Sequence, residues 1–405
     1  MLADLRLADP PMGTVGAPGY AAVPARWTSR LLSESPQTSG GCVAASLIPV
    51  KDAAGGRGYL RSMSAGDAAL SPPAGGGGER VPVLPLLVMS VGTALLLVAV
   101  QLKAPWPMLL AERFLPGAGW AQAVLMAAYA AWVGRRLLDP KRQALTRRGI
   151  WLLFSAAFYL QLILGVSGIP QFLMTGVLHV PVPALIIAGP IYRGDGLFMP
   201  ILFLATTLLI GPAWCSHLCY FGAFDALAGG RARPPRRIAR GARLFQGASL
   251  VAVAAAAAAL RVFHAPADLA TGLGIGFGAA GIGVMLLVSR RTGRMVHCTA
   301  WCPVGLLATV LGKVSPWRVR VAPSCTGCLR CVPACRYNAL DPERIRAGSP
   351  GASCTLCGDC LTACGDGAMT FSLYGWQARD PAAVRTALTV ALTILHAVFL
   401  GVARV

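Results

Sequence analysis

The sequence predicts a mainly α-helical membrane protein of about seven transmembrane helices carrying a small α+β module on its cytoplasmic side. Three observations predict it. The chain is 55% hydrophobic and only 13% charged over 405 residues, with a mean hydropathy of +0.61, where soluble domains spend about 25% on charge. Apolar runs of bilayer length recur between clusters of arginine. Twelve of the thirteen cysteines stand in short C-x2-C and C-x3-C strings in the second half of the chain, and only Cys42 lies outside them.

Residues 1–80 are rich in Gly, Pro, Ala and Ser, include "SPPAGGGGER", and hold no sustained apolar period and no core long enough for a secretory signal. They read as a disordered, low-complexity cytoplasmic tail, within which Met63 is an alternative start. Runs near the ~17–25 residues that cross a bilayer then occupy 83–102, 116–133, 150–166, 197–213, 245–263, 269–289 and 384–402. The stretch 172–190 is also apolar, but Pro181, Pro183 and Pro190 make it an interfacial or re-entrant segment rather than a regular helix.

Charge fixes the expected topology. Segment 134–149 holds Arg135, Arg136, Lys141, Arg142, Arg147 and Arg148, and 214–244 holds Arg231, Arg233, Arg236, Arg237, Arg240 and Arg243. With both on the cytoplasmic side, two spans separate them, and 150–166 and 197–213 supply those two. The parity then places 290–379 and every motif cysteine in the cytoplasm, with the N-terminus, in an inner (plasma) membrane protein. The organisation that follows is a tail (1–80), a multi-span membrane domain (81–320), a cysteine-rich module (321–374) and a C-terminal transmembrane helix (375–405). The excess of 36 Lys+Arg over 16 Asp+Glu is bunched between apolar runs, so it marks topology and not a nucleic-acid partner. A reducing compartment favours thiolate ligation over disulfides.

"CTGCLRCVPAC" sets Cys325, Cys328, Cys331 and Cys335 at C-x2-C-x2-C-x3-C, and "CTLCGDCLTAC" repeats the spacing with Cys354, Cys357, Cys360 and Cys364. A 4Fe-4S cubane needs four converging thiolates; the tight spacing supplies three from one loop, and the fourth cysteine of each string reaches the other cluster. Cluster 1 therefore takes Cys325, Cys328, Cys331 and Cys364, and cluster 2 takes Cys354, Cys357, Cys360 and Cys335. Zinc knuckles, the alternative, would be satisfied by two C-x2-C pairs and need no duplication of eight cysteines.

Over about 50 residues the strings resemble the two-cluster bacterial ferredoxins, with 18 residues between Cys335 and Cys354 as in the compact members. Arg336 and Gly365 stand where a proline commonly follows the fourth cysteine. The resemblance implies a small α+β two-cluster ferredoxin-like module that conducts electrons.

Upstream, "WCSHLCYFGAFD" and "HCTAWCPVGLLA" carry two C-x3-C pairs, Cys215/Cys219 and Cys298/Cys302, each behind an apolar run. With the module behind them, residues 81–375 resemble the membrane polyferredoxins of the NosR/NapH type. Cys298, Cys302 and Pro303 match that family's C-x3-C-P element, while Tyr220 replaces the proline in the first copy. The resemblance implies quinol-linked electron transfer to a redox partner protein. Residues 1–80 are too short and polar for the flavin-binding domain of the larger members, so flavin is not expected.

Cysteines at i and i+4 share one face of a helix. Each pair is then half of a metal clamp, a dithiol relay or packing, and the four thiols together are one shared site in a further reading. His217 and His297 beside them read as interfacial polar residues. Haem is not expected, because only His396 lies within a span while His264 and His179 lie toward the outer side. "GLGIGFGAAGIG" is close-packing glycine in a membrane helix. Segment 167–196, with His179, Tyr192, Arg193 and Asp195, is the expected quinone edge. An assembly or maturation factor that reduces a metal or a disulfide on a partner is the alternative function.

Overall fold

The computed structural model describes residues 49–51, 57–59, 82–173, 180–231, 235–238, 241–373 and 380–402. Met1–Ser71 and Pro72–Val405 are two separate compact units. In the first, β1 (Pro49–Lys51) pairs antiparallel with β2 (Arg57–Tyr59), Val50 opposite Gly58. Within the tail expected over 1–80 this strand pair is what the structure describes; Cys42 and Met63 lie outside the described residues.

The second unit is helical. In order it runs α1 (Val83–Lys103), α2 (Leu110–Phe114), α3 (Ala118–Leu138), α4 (Gln143–Val166), α5 (Leu185–Arg193), α6 (Phe198–Ile210), α7 (Trp214–His217), α8 (Gly222–Gly229), α9 (Ala242–Val262), α10 (Ala267–Val284), α11 (Arg290–Thr292) and α12 (Pro303–Leu311). The cysteine-rich module follows: β3 (Trp317–Val321), α13 (Cys331–Ala334), α14 (Pro342–Arg346), α15 (Asp359–Ala363) and β4 (Met369–Leu373). The last element is α16 (Pro381–Val402). β3 and β4 pair antiparallel from Trp317↔Leu373 to Val321↔Met369, closing the module on itself.

Among the described residues, six helical stretches are long and apolar enough to cross a membrane: Val83–Lys103, Gln143–Val166, Phe198–His217, Ala242–Val262, Ala267–Thr292 and Pro381–Val402. A helix of 21 residues such as α1 spans about 31 Å at 1.5 Å per residue, the thickness of the hydrocarbon core. Only Met89, Thr93 and Leu97 of α1 are buried, one turn apart on a single stripe, while Leu84, Val91 and Leu95 are exposed. Such a surface suits lipid and not water.

The seventh expected span is α3, which is helical over 21 residues but dilutes its apolar run with Gln122, Arg135 and Arg136 and is not among the six. It packs between α1 and α16 through Ala123, Ala127, Ala130 and Gly134. A Cβ on Gly134 would clash with the Met89 sulfur, so the small-residue stripe brings α3 and α1 into close approach. Gln122 donates to the Gly401 carbonyl of α16 at 2.7 Å.

Helix bounds correct the expected loops. The arginines at 135, 136, 147 and 148 are helical, leaving only residues 139–142 as connection. Segment 214–244 contains α7 and α8. Within 172–190, residues 174–179 and hence His179 lie outside the described residues; the remainder holds the nine-residue α5, which packs on α9. Tyr192 donates to the Ala265 carbonyl at 2.7 Å, and Arg193 pairs with Asp195 at 3.3 Å on the surface.

The main core runs without a break from the helices into the module: Trp151, Phe203, Trp214 and Met285 belong to one cluster with Val319, Leu340 and Phe371. The module is therefore packed into the membrane-helix bundle and not tethered beside it.

Candidate metal centres

The two cysteine strings fold into matching loops. In each, the third and fifth positions adopt left-handed backbone: Gly327 (φ 71°) and Leu329 (φ 59°) in the first, Leu356 (φ 54°) and Gly358 (φ 79°) in the second. A left-handed leucine costs on the order of 1–3 kcal/mol and persists only where its surroundings impose it. The glycine and leucine exchange places between the strings, yet the winding is conserved. Left-handed residues at such positions are an ingredient of the nest geometry of many Fe–S sites, in which successive amide N–H groups turn inward, and the Leu356 amide donates to the Cys354 sulfur.

The thiols gather in two crossed sets. Burial, with Cys364, Cys328 and Cys325 as charged neighbours, pushes the Cys331 thiol up to about 11. Burial pushes Cys360 well above the ordinary thiol range, its principal charged neighbours being Cys357, Cys354 and Cys335. Burial and Cys335 raise Cys354 to about 12. Cys335, the last residue of the first string, thus stands with the second string. Its Sγ accepts the Ala339 amide at 3.2 Å, and with Cys354, Cys357 and Cys360 it lines a small cavity bordered by Val319 and Leu340.

Four thiols around an apolar cavity, with inward amides, fit a 4Fe-4S cubane. A zinc ion at about 2.3 Å from each sulfur requires thiols almost in contact, and among the described residues no three His, Cys, Asp or Glu side chains close on such a point.

The two C-x3-C pairs also meet. Cys215 is within electrostatic reach of Cys219 and Cys302, and Cys298 of Asp225, Cys219, Cys302 and Cys215. The halves are built alike. Cys219 closes α7 and precedes α8, whose first amides, Phe221 and Gly222, donate to its sulfur; Cys302 precedes α12, and Val304 and Gly305 donate to its sulfur. A Cβ on Gly222 would lie 3.1 Å from the Cys215 carbonyl oxygen, and one on Gly305 would lie 2.6 Å from that of Cys298. The glycine three residues after each pair lets the helix start close over the first cysteine. Trp151 of α4 donates to the Cys219 carbonyl at 2.8 Å, and Gln246 of α9 donates to the Cys298 and Cys302 carbonyls at 3.0 and 2.9 Å.

Asp225 joins the halves: fully buried, it accepts the Cys298 amide at 2.9 Å, and burial pushes its carboxyl up to about 6 against the pull of Ser289 and that amide. His217 and His297, expected at the interface, are buried at 5% and 3% exposure; the His297 ring packs at a tilt against Phe221, 5.1 Å between centroids. His396 is buried against Tyr129, 3.0 Å from its hydroxyl, and His264 is exposed.

Module and bundle are pinned by charge. Arg147 of α4, 3% exposed, makes a bidentate contact with Asp359 at 2.9 and 3.0 Å, and Arg148 adds a third contact at 2.9 Å. Arg147 also donates to the Ser216 carbonyl between the first cysteine pair, and Ser216 donates to the Thr355 carbonyl between Cys354 and Cys357. Arg147, expected only as a topology charge, is thus a structural cation. Arg336, at the position where the ferredoxins have proline, donates to the carbonyls of Gly229 and Gly293, so the departure from that pattern ties the module to α8. Tyr337, 3% exposed, lies within electrostatic reach of Cys298, Cys215 and Cys357 together, between the membrane thiols and those of the second string.

Sequence reasoning singled out the twelve cysteines but not the residues that the structure sets around them: Asp225, Gln246, Arg147 with Asp359, Tyr337 and the paired Gly222 and Gly305. The shared C-x3-C-x2-G spacing and an aspartate inside an apolar stretch were legible signals for Asp225 and the glycines. The other partners come from distant segments.

A family model described as a 4Fe-4S binding domain matches residues 192–238 and 272–321, about a quarter of the chain. Each matched stretch contains one C-x3-C pair, and the module cysteines lie outside both. No curated protein and no solved structure shows significant similarity to the chain. The chain therefore carries iron–sulfur-binding sequence together with several membrane-length helices.

Proposed function

We propose that this chain is a multi-pass, membrane-bound iron–sulfur electron-transfer protein of the NosR/NapH type, which carries electrons between the quinol pool and a redox partner protein through two 4Fe-4S clusters. The observation that carries the reading is the crossed gathering of the eight module thiols, with Cys335 beside Cys354, Cys357 and Cys360. A bound cubane supplies one-electron chemistry. This chain's residues hold it: Cys325, Cys328, Cys331 and Cys364 ligate one, the other four ligate the second, and amides such as that of Leu356 offset sulfur charge. Because Cys360 interacts with both Cys335 and Cys331, the two sets adjoin and electrons need cross no gap of bulk protein. Membrane lipid and quinol are the expected small partners, with segment 167–196 as the quinone edge.

Anaerobically purified protein is expected to contain at least about eight iron and eight acid-labile sulfide per chain. Tightly bound zinc without labile sulfide would contradict the reading.

Seven spans, with α3 among them, fit the alternating directions of the helices: the end of α3, the start of α4, the end of α6 and the start of α16 all lie at the module end. We place that end in the cytoplasm of an inner-membrane protein. A phosphatase reporter fused at Val405 is then active and one near Gly230 is silent; activity at Gly230 would overturn the orientation.

A further inference from the structure

We infer that Cys215, Cys219, Cys298 and Cys302 together ligate a third iron–sulfur cubane at the junction of the membrane helices and the module, an inference that rests on the iron–sulfur reading above. The family match makes the question sharp. Each matched stretch holds only two cysteines, half of what a cubane requires, so neither can bind a cluster by itself. The fold brings the two halves together: Cys298 is within electrostatic reach of Cys219, Cys302 and Cys215.

The surroundings supply the sulfurs with donors that packing does not require. The second cysteine of each pair receives two backbone amides from the start of the following helix, where orphan N–H groups and the positive end of the dipole favour negative charge. The same arrangement is built twice from unrelated residues, Phe221 and Gly222 in one half, Val304 and Gly305 in the other. The backbone is held on both sides, by Trp151 on the Cys219 carbonyl and Gln246 on those of Cys298 and Cys302. Neutral thiols in a packing role would need none of these donors.

Loading a preassembled cubane requires no oxidant or reductant: each thiol gives up its proton and its sulfur replaces one ligand of the incoming cluster, so one iron–ligand bond breaks for each that forms, and the cluster keeps its oxidation state. The position continues the wire, since Tyr337 lies within reach of Cys215, Cys298 and Cys357.

The test is iron and labile sulfide per chain in the anaerobically purified full-length protein, with electron paramagnetic resonance of the reduced form. The wild type is expected to hold about twelve of each. Cys298→Ala and Cys219→Ala are each expected to lower the count by about four and to leave the signals of the two module clusters. A wild-type count of about eight that neither variant changes overturns the third site, as does a stoichiometric zinc or copper ion lost in both variants. Should the variants fail to accumulate, the wild-type count decides. A wild type with no iron overturns the two-cluster reading as well, which separates the two failures.

Discussion

Replacing Asp359 with alanine is expected to destabilise the protein by about 3–5 kcal/mol, the usual consequence of removing one partner of a buried ion pair and leaving the other charged. Arg147 and Asp359 have only 4% side-chain exposure each, and Arg147 has no route to water once its carboxylate is gone. That is a large part of a total stability of about 5–15 kcal/mol. The loss falls at the joint between α4 and the loop carrying Cys357 and Cys360, so the variant is expected to release the second-string cluster at lower temperature than the wild type. Asp139→Ala is the control: its pair with Arg142 is exposed, 66% and 35%, and contributes less than about 1 kcal/mol. Equal unfolding midpoints for the two variants would show that the joint is not held by charge. The pH dependence has a definite sign. Burial opposes ionisation of Asp359, but Arg147 and Arg148 outweigh it and hold the carboxyl below its ordinary range. The stabilisation is therefore present above about pH 4, the unfolded aspartate value, and is lost as pH falls through the lower folded value.

The second large effect follows from which thiols share a cluster. Cys335→Ala/Cys357→Ala removes two ligands from one set, and is expected to lose about four iron; Cys331→Ala/Cys335→Ala removes one ligand from each set, and is expected to lose about eight. If each string served its own cluster, the two outcomes would exchange. Iron analysis of the two double variants, with labile sulfide as a parallel count, distinguishes crossed from sequential ligation without assigning any spectrum.

Both results rest on features of unequal visibility in the sequence. The eight module cysteines were legible because local spacing dictates local geometry, and the set-back fourth cysteine announces that it reaches elsewhere. Six of the expected spans are present as long apolar helices, with bounds moved outward by several residues because charged residues such as Arg147 and Arg148 continue the helix. The joint was not legible: Arg147 and Asp359 lie 212 positions apart, and an arginine in a basic cluster carries no sign that it will be buried. The meeting of the two C-x3-C pairs was left open for the same reason. Leu329 and Leu356 in left-handed backbone were hidden because leucine ordinarily avoids that region.

Whether quinol electrons reach the module clusters is read by anaerobic mixing of a reduced quinol with membranes carrying the protein while cluster absorbance is followed. The clusters are expected to bleach as quinol is oxidised, and Cys298→Ala/Cys302→Ala is expected to lose that bleaching while dithionite still reduces the module clusters. Clusters that dithionite reduces but quinol leaves oxidised in wild-type membranes would contradict the quinol link.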